Sequence, residues 1–257
     1  MHVHELFDLT GKTAIITGGG RGLGKQIAEG FAEAGANIVV CSRKEENCTE
    51  ASKELQKKGT ETLALKCDVT KPDDIKNVVE KTLEKFGRID ILVNNSGATW
   101  GAPVDEMPLE AFQKVMNVNV VGTFLMSQAV GKVMTEQKYG KIINIASVAG
   151  LNGSSPKYMD AIGYNSSKGA VITFTKDLAV KWGPRGIYVN AIAPGFFPTK
   201  MSKVLIERSG DEMREGTPLQ KFGSENDLKG AALFLATAAS DFVTGETIVV
   251  DGGKNAM

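Results

Sequence analysis

Tyr164 and Lys168 stand four residues apart in "DAIGYNSSKGAVITFTKDLAV", a stretch patterned like a helix. On a helix, that spacing puts both side chains on one face, within reach of each other. A free tyrosine titrates near pH 10 (about 10 in model peptides) and exchanges protons reluctantly at neutrality. An ammonium within about 4–6 Å favours the phenolate and lowers that pKa by roughly one to three units. Such a tyrosine can give a proton to a carbonyl oxygen, or take one from an alcohol. Of the four tyrosines only Tyr164 has lysine at this spacing; Tyr158 does not. A packed ring beside a solvated amine is the plain alternative, so the pair needs support from the rest of the chain.

A second chemical signal is "TGGGRGLG" (17–24), between the apolar run "KTAIIT" and a helical pattern. Glycines let the backbone turn tightly against a pyrophosphate, and the N–H groups of a helix start favour the anion. Counted from Thr17, the pattern is T-G-x-x-x-G-x-G, with Gly18, Gly22 and Gly24, and Leu23 in the first helical turn. A nucleotide site is expected here. The second apolar run ends "VVCSRKEE". Cys41 and Ser42 stand where an acidic residue would accept the ribose 2′-hydroxyl of NAD(H), and Arg43 follows. Arg21, inside the glycine loop, is a second guanidinium suited to a phosphate. NADP(H) is the expected cofactor, with NAD(H) still open. The alternative is that Arg43 and Lys44 are solvated and offset by Glu45 and Glu46.

These groups need a scaffold, and the chain alternates short apolar runs with amphipathic stretches. "KTAIIT" (12–17), "NIVVC" (37–41), "TLALK" (62–66), "IDILV" (89–93), "KIINIA" (141–146), "IYVNAI" (187–192) and "TIVVD" (247–251) are seven strand candidates. Continuously apolar, β-branched runs fit strands buried on both faces of a parallel sheet. One helix is expected from Leu23 to Gly35 and another from about 70–74 to Gly87. The fold class is α/β, a doubly wound Rossmann-type parallel sheet of about seven strands, with residues 1–257 as one domain. Two excursions interrupt it. The Gly/Ser-rich "GLNGSSPKYMDAIG" (150–163) precedes Tyr164, and 198–220 follows the sixth run with helical apolar spacing at Met201, Val204 and Leu205. The second reads as a lid over a ligand site.

Composition narrows the partners. Lys+Arg and Asp+Glu both total 30 in 257 residues, so no basic nucleic-acid footprint is expected. Apolar stretches break well before the roughly 18 residues needed to span a bilayer, and "MHVHELFDLTGK" has no signal-peptide pattern. Cys41, Cys48 and Cys67 form no CxxC pair and fit free thiols in a reducing cytoplasm. His2 and His4 are too few for a metal site, and no metal is expected.

From about Phe7 to Gly253 the chain resembles the short-chain dehydrogenase/reductase family. Besides Thr17, Gly18, Gly22 and Gly24, the resemblance rests on Asp68 and Val69 in "CDV", "NNSG" (94–97) with Asn94 and Gly97, Ser147 in "NIASVAG", Tyr164 and Lys168, and "APGFFPT" (193–199) with Pro194, Gly195 and Thr199. It implies that Asp68 meets the adenine, Thr199 holds the nicotinamide amide, Lys168 also holds the nicotinamide ribose, and Ser147 hydrogen-bonds the substrate oxygen. It places a fourth catalytic residue at Asn119, three before Gly122, rather than Asn117. Within the family, the look is that of 3-oxoacyl reductases and gluconate 5-dehydrogenase-like enzymes. Ser147 and Tyr164 are 17 residues apart, more than is commonest in the family, and the 150–163 loop absorbs the excess.

The implied function is NADP(H)-dependent hydride transfer between a ketone and a secondary alcohol, with a small carbonyl or alcohol substrate. A catalytically silent NADP(H) sensor on the same scaffold is the alternative, distinguished by whether ketones drive NADPH oxidation. Trp100, Val148, Leu151, Phe196, Phe197 and Met201 are expected to border an apolar substrate pocket. A homotetramer is implied by the resemblance and by the apolar excess of "VVGTFLMSQAV" and "AVITFTKDLAV".

Overall fold

The β-branched runs form seven strands: β1 (Thr13–Thr17), β2 (Asn37–Ser42), β3 (Thr62–Lys66), β4 (Ile91–Asn94), β5 (Gly140–Ile145), β6 (Ile187–Pro194) and β7 (Thr247–Val250). A computed structural model describes residues 2–200 and 202–257; Met201 lies outside the described residues, as do the side chains of Val204 and Leu205. The strands make one parallel sheet in the order β3-β2-β1-β4-β5-β6-β7. Their order reverses between β1 and β4, the crevice where doubly wound sheets bind ligands.

Helices cover both faces because the strand side chains alternate. Ala14 and Ile16 of β1 join a core with Ile27 and Phe31 of α2 (Gly22–Glu33), Leu55 of α3 (Glu45–Gln56) and Leu235 of α9 (Lys229–Ala236). Ile15 points the other way, into a core with Val78 of α4 (Pro72–Phe86), Val130 of α6 (Gly122–Gln137) and Leu178 of α7 (Ile162–Trp182). Completing the set are α1 (Val3–Leu6), α5 (Leu109–Met116) and α8 (Lys203–Glu215), with α8 in the expected lid segment. Punctuation acts as local chemistry requires: Pro72 opens α4, and Gly87 closes it at φ 72.

Strand boundaries differ from the sequence expectation by up to two residues. The fourth run starts at Ile91 rather than Ile89, because buried Asp90 accepts hydrogen bonds from Arg88 and from the Thr13 amide at the strand's mouth. All three cysteines are buried free thiols. Among the described residues no group of three metal-ligating side chains converges, and no helix is long and apolar enough to cross a membrane.

Candidate active site

The two strands flanking the order reversal are locked together at their C-terminal ends. Thr17 Oγ1 accepts the amides of Asn95 and Ser96, both at 3.0 Å, and donates to the Val93 carbonyl at 3.3 Å. Asn95 returns its amide to the carbonyls of Thr17 (2.9 Å) and Gly18 (3.3 Å). This fixes the glycine loop beside the end of β4. A Cβ on Gly24 would sit 2.4 Å from Asn95 Nδ2, so only glycine fits. Gly18 and Gly22 have φ of 65° and 56°, the left-handed region glycine alone adopts cheaply. Arg21 is exposed, and as the α2 N-cap its side chain makes no capping bond. The first amides of α2 are therefore open to an anion.

A Cβ on Gly22 would meet first the Thr199 side chain, at 3.6 Å. The glycine loop and the segment after β6 thus face each other across a channel that a larger residue at 22 would fill. These residues fit a dinucleotide. Leu23 packs on the core, leaving only its backbone for a phosphate. Asn94 does not face the channel: it is 4% exposed, and its amide donates to Ser127 (3.0 Å) and Asn144 (2.9 Å), tying β4 to α6 and β5. The neighbouring Asn95, absent from the sequence expectation, is the one that holds the loop. Its signal was the second asparagine of "NNSG" beside a glycine loop.

The adenosine end lies at the tips of β2 and β3. The Ser42 hydroxyl donates to the Lys44 carbonyl at 2.9 Å and accepts from the Cys48 thiol at 3.2 Å. Arg43 is exposed. Burial raises the Asp68 carboxyl, but the amide and hydroxyl of Thr70 and the Arg43 and Lys71 charges outweigh it and hold it below the usual range. Val69 packs against the start of α6, where a Cβ on Gly122 would lie 2.6 Å from its methyl. Gly195 is held by its amide to the Val250 carbonyl, with Asp251 2.7 Å from where a Cβ would stand. Pro194 ends β6, buried.

Tyr164, Ser147, Lys168 and Asn119 converge beyond β4 and β5. Ser147 follows β5 and caps the short turn Val148–Gly150, its hydroxyl accepting the Ala149 amide at 3.2 Å. That turn presses onto α7: a Cβ on Gly150 would lie 2.5 Å from the carbonyl carbon of Lys168. The contact brings Ser147 toward Tyr164, where its hydroxyl opposes in part the effect of burial on the phenol. The Lys168 ammonium lies 5.6 Å from the Tyr164 ring centre and donates to the Ile145 carbonyl at 2.6 Å. Asn119 sits in a π-helical segment, Asn117–Val121, between α5 and α6. The widened turn directs its amide inward: Oδ1 accepts the Ala98 amide at 2.7 Å, and Nδ2 donates to the Ala98 carbonyl (3.0 Å) and the Ser167 hydroxyl (2.8 Å). Asn117 is exposed and Asn119 1% exposed, which separates the two asparagines. Gly97 lies between, its Cβ position 3.6 Å from Asn119 Oδ1 and 3.9 Å from Lys168 Nζ.

One expectation is corrected. The i,i+4 lysine was expected to lower the tyrosine pKa, yet the Tyr164 phenol is pushed above its ordinary value. Burial raises it, and the hydrogen bond with Ser147 only partly opposes this. Burial also brings Lys168 down to about 8. Desolvation sets the direction for both buried groups here.

The excursions form the rim. The 150–163 loop is tied to the β4 loop by the Ala102 amide on the Asp160 carbonyl (2.9 Å), and to α7 by Asn165 on Ser154 (3.0 Å). Trp100 and Leu151 are exposed on it, and Val148 and Phe196 are half-buried. Phe197 is not a rim residue. It is 4% exposed in the core, with Gly223 against its ring.

Known proteins agree with this geometry. A family model described as enoyl-(acyl carrier protein) reductase matches residues 18–255. A 3-oxoacyl-[acyl-carrier-protein] reductase of Synechocystis is 38% identical over 95% of this chain and 97% of its own. A 2-dehydro-3-deoxy-D-gluconate 5-dehydrogenase of Bacillus subtilis is 37% identical over 98% of both. Among solved structures, a short-chain type dehydrogenase/reductase from Mycobacterium marinum superposes with a TM-score of 0.95 at 37% identity, covering 98% of this chain and 99% of its own. A gluconate 5-dehydrogenase from Burkholderia cenocepacia, in complex with NADP and tartrate, does so at 0.94 and 37% over the whole of both chains. With these likenesses spanning nearly its full length, the chain belongs to the short-chain dehydrogenase/reductase family and is an oxidoreductase acting on CH–OH groups.

Proposed function

We propose that the chain is a single nucleotide-binding domain that interconverts a ketone and a secondary alcohol using NADP(H), with Tyr164 as general acid and base. The convergence of the Tyr164 hydroxyl, Ser147 and the Lys168 ammonium beside the glycine-loop channel carries this reading. Bound NADPH would supply a hydride to the carbonyl carbon. Tyr164 gives its phenolic proton to the carbonyl oxygen, and Ser147 donates a hydrogen bond to that oxygen as charge develops. Lys168 stabilises the phenolate left behind and, from the same face, holds the nicotinamide ribose. Asn119, clamped to both polar groups of Ala98, fixes the β4 loop against α7. With its phenol raised by burial, Tyr164 keeps its proton in the resting site and so enters a reduction in the donor form.

At the adenosine end, Arg43 and Arg21 take the 2′-phosphate, and Asp68 meets the adenine. Ser42 in place of an acid removes the repulsion that would exclude it. The solved relative carrying NADP supports this choice. Exposed apolar residues on the helical faces, Val121 and Phe124 in the π-segment and α6 and Val180 on α7, support a homotetramer built on those helices. A light-scattering mass near the 27.4 kDa of one chain would remove that part. The reductase itself is tested by following NADPH oxidation with a panel of ketones. Turnover is expected; tight NADPH binding without turnover of any ketone would make the protein a sensor.

A further inference from the structure

Glu212 joins the two excursions that flank the reacting groups. It lies on α8, in the lid, and its Oε1 accepts two hydrogen bonds from the 150–163 loop: Lys157 Nζ at 2.6 Å and Tyr158 hydroxyl at 2.8 Å. The bond with Lys157, then that with Tyr158, holds the carboxyl below its usual range. Ser147 stands at the foot of one excursion, after β5; Thr199 stands at the foot of the other, after β6. A tie between them therefore joins the segment that follows Ser147 to the segment that follows Thr199. The residues that reach across belong to the stretch by which the Ser147–Tyr164 interval is extended. A second tie, Asn152 Nδ2 to Asn255 Oδ1, fixes the base of that loop to the chain's last turn. The loop is thus anchored on both sides, while α8 carries a break at Ser209 (φ −141°, ψ 22°) that lets its second half turn toward the loop.

We propose that Glu212, Lys157 and Tyr158 form a clasp that shuts the lid over the cleft and selects small free carbonyl substrates against substrates tethered to a carrier. This rests on the reductase reading above. A free ketone is enclosed once the clasp closes. A tethered acyl chain keeps a thread through the entrance, so the clasp must stay open for it. The lid segment is also charge-balanced: it holds four basic residues, Lys200, Lys203, Arg208 and Arg214, and four acidic ones, Glu207, Asp211, Glu212 and Glu215. An acidic carrier finds no basic excess there.

The test compares the wild type, Glu212→Gln, Lys157→Met with Tyr158→Phe, and the reversed pair Lys157→Glu with Glu212→Lys. Two quantities are read: the rate of limited chymotryptic cleavage within 198–220, a window in which none of these substitutions adds or removes a chymotryptic site, and the ratio of kcat/KM for a short free 3-oxoester to that for the same acyl group as a pantetheine thioester. Breaking the clasp should speed lid cleavage and lower the free-to-tethered ratio, each by about fivefold, the scale of an exposed ion pair. The reversed pair should restore both, which a general loss of folding would not allow. Unchanged cleavage in the broken variants, or faster cleavage with an unchanged ratio, overturns the proposal. If the wild type reduces neither substrate, the reductase reading falls, and the selectivity proposed here falls with it. Cleavage rates would then report on the clasp alone.

Discussion

Two buried lysines mark the two ends of β5. Lys141, at its start, has a side chain 1% exposed and is fully engaged: Asp241 at 2.7 Å, the Ser240 hydroxyl at 3.3 Å, and the Tyr188 ring centre at 3.8 Å. Lys168, beyond the strand's other end, is 5% exposed, and among the described residues its one hydrogen bond is to the Ile145 carbonyl. Burial lowers both ammonium groups, but only Lys141 has a carboxylate pulling it back. An ammonium has three donors, and a buried charge is costly unless paired. The structure completes the set at the base of the sheet and leaves it incomplete at the top. The difference separates a lysine whose charge the fold itself engages from one that keeps donors to spare.

The comparison breaks first at the tyrosine beside Lys168. Tyr164→Phe is expected to lower kcat by at least about a hundredfold, with unchanged cofactor affinity and thermal midpoint. Near-wild-type turnover of the purified variant would take Tyr164 out of the mechanism. Next come the lysines themselves. Lys168→Met should raise the NADPH Kd and lower kcat, each by roughly tenfold or more, with no loss of stability, because a desolvated charge goes with it. Asp241→Asn should do the reverse, costing about 1–3 kcal/mol of stability with kinetics unchanged; the figure sits below a fully buried pair because Asp241 is half-exposed. Denaturant titration and steady-state kinetics on both variants read this directly, and matching phenotypes would erase the distinction.

The pH dependence sharpens it. Lys168 titrates at about 8 when folded, against 10.5 ordinarily. Its cationic form is therefore present below about 8 and lost above it. kcat/KM for reduction should fall as pH rises past that value, and Lys168→Arg should move the fall upward. For stability the sign is opposite. The unfolded chain binds more protons between about 8 and 10.5, so the cost of burying this charge is relieved as pH rises through that window. A profile flat to pH 10 would show that the lysine's charge plays no part. The smallest effect is expected where charges are exposed: Arg43→Ala should weaken NADPH by about tenfold while sparing NADH, and Ser42→Asp should shift preference toward NADH. A wild-type kcat/KM higher with NADH would reverse that assignment.

Sequence reading reached far where one backbone rule decides the outcome. Seven apolar runs became strands, the inner ones largely buried on both faces and the edge strands β3 and β7 only in part, and Gly87 and Pro72 bound a helix, because period and punctuation are local while burial depends on place in the sheet. The pairing of Tyr164 with Lys168 was legible for the same reason: one helical turn fixes it. The sequence also singled out Asn119, although not the π-segment that turns it inward. Tertiary structure alone decided that Asn95, not Asn94, grips the glycine loop, since Asn94 at the end of β4 is spent on Ser127 and Asn144 while Asn95, just past it, reaches the Thr17 and Gly18 carbonyls. It alone showed Phe197 as core, and it alone gave Glu212 its partners 54 and 55 residues away. It also reversed the expected direction of the tyrosine's pKa. Spacing tells which charges lie near, but desolvation depends on everything packed around them.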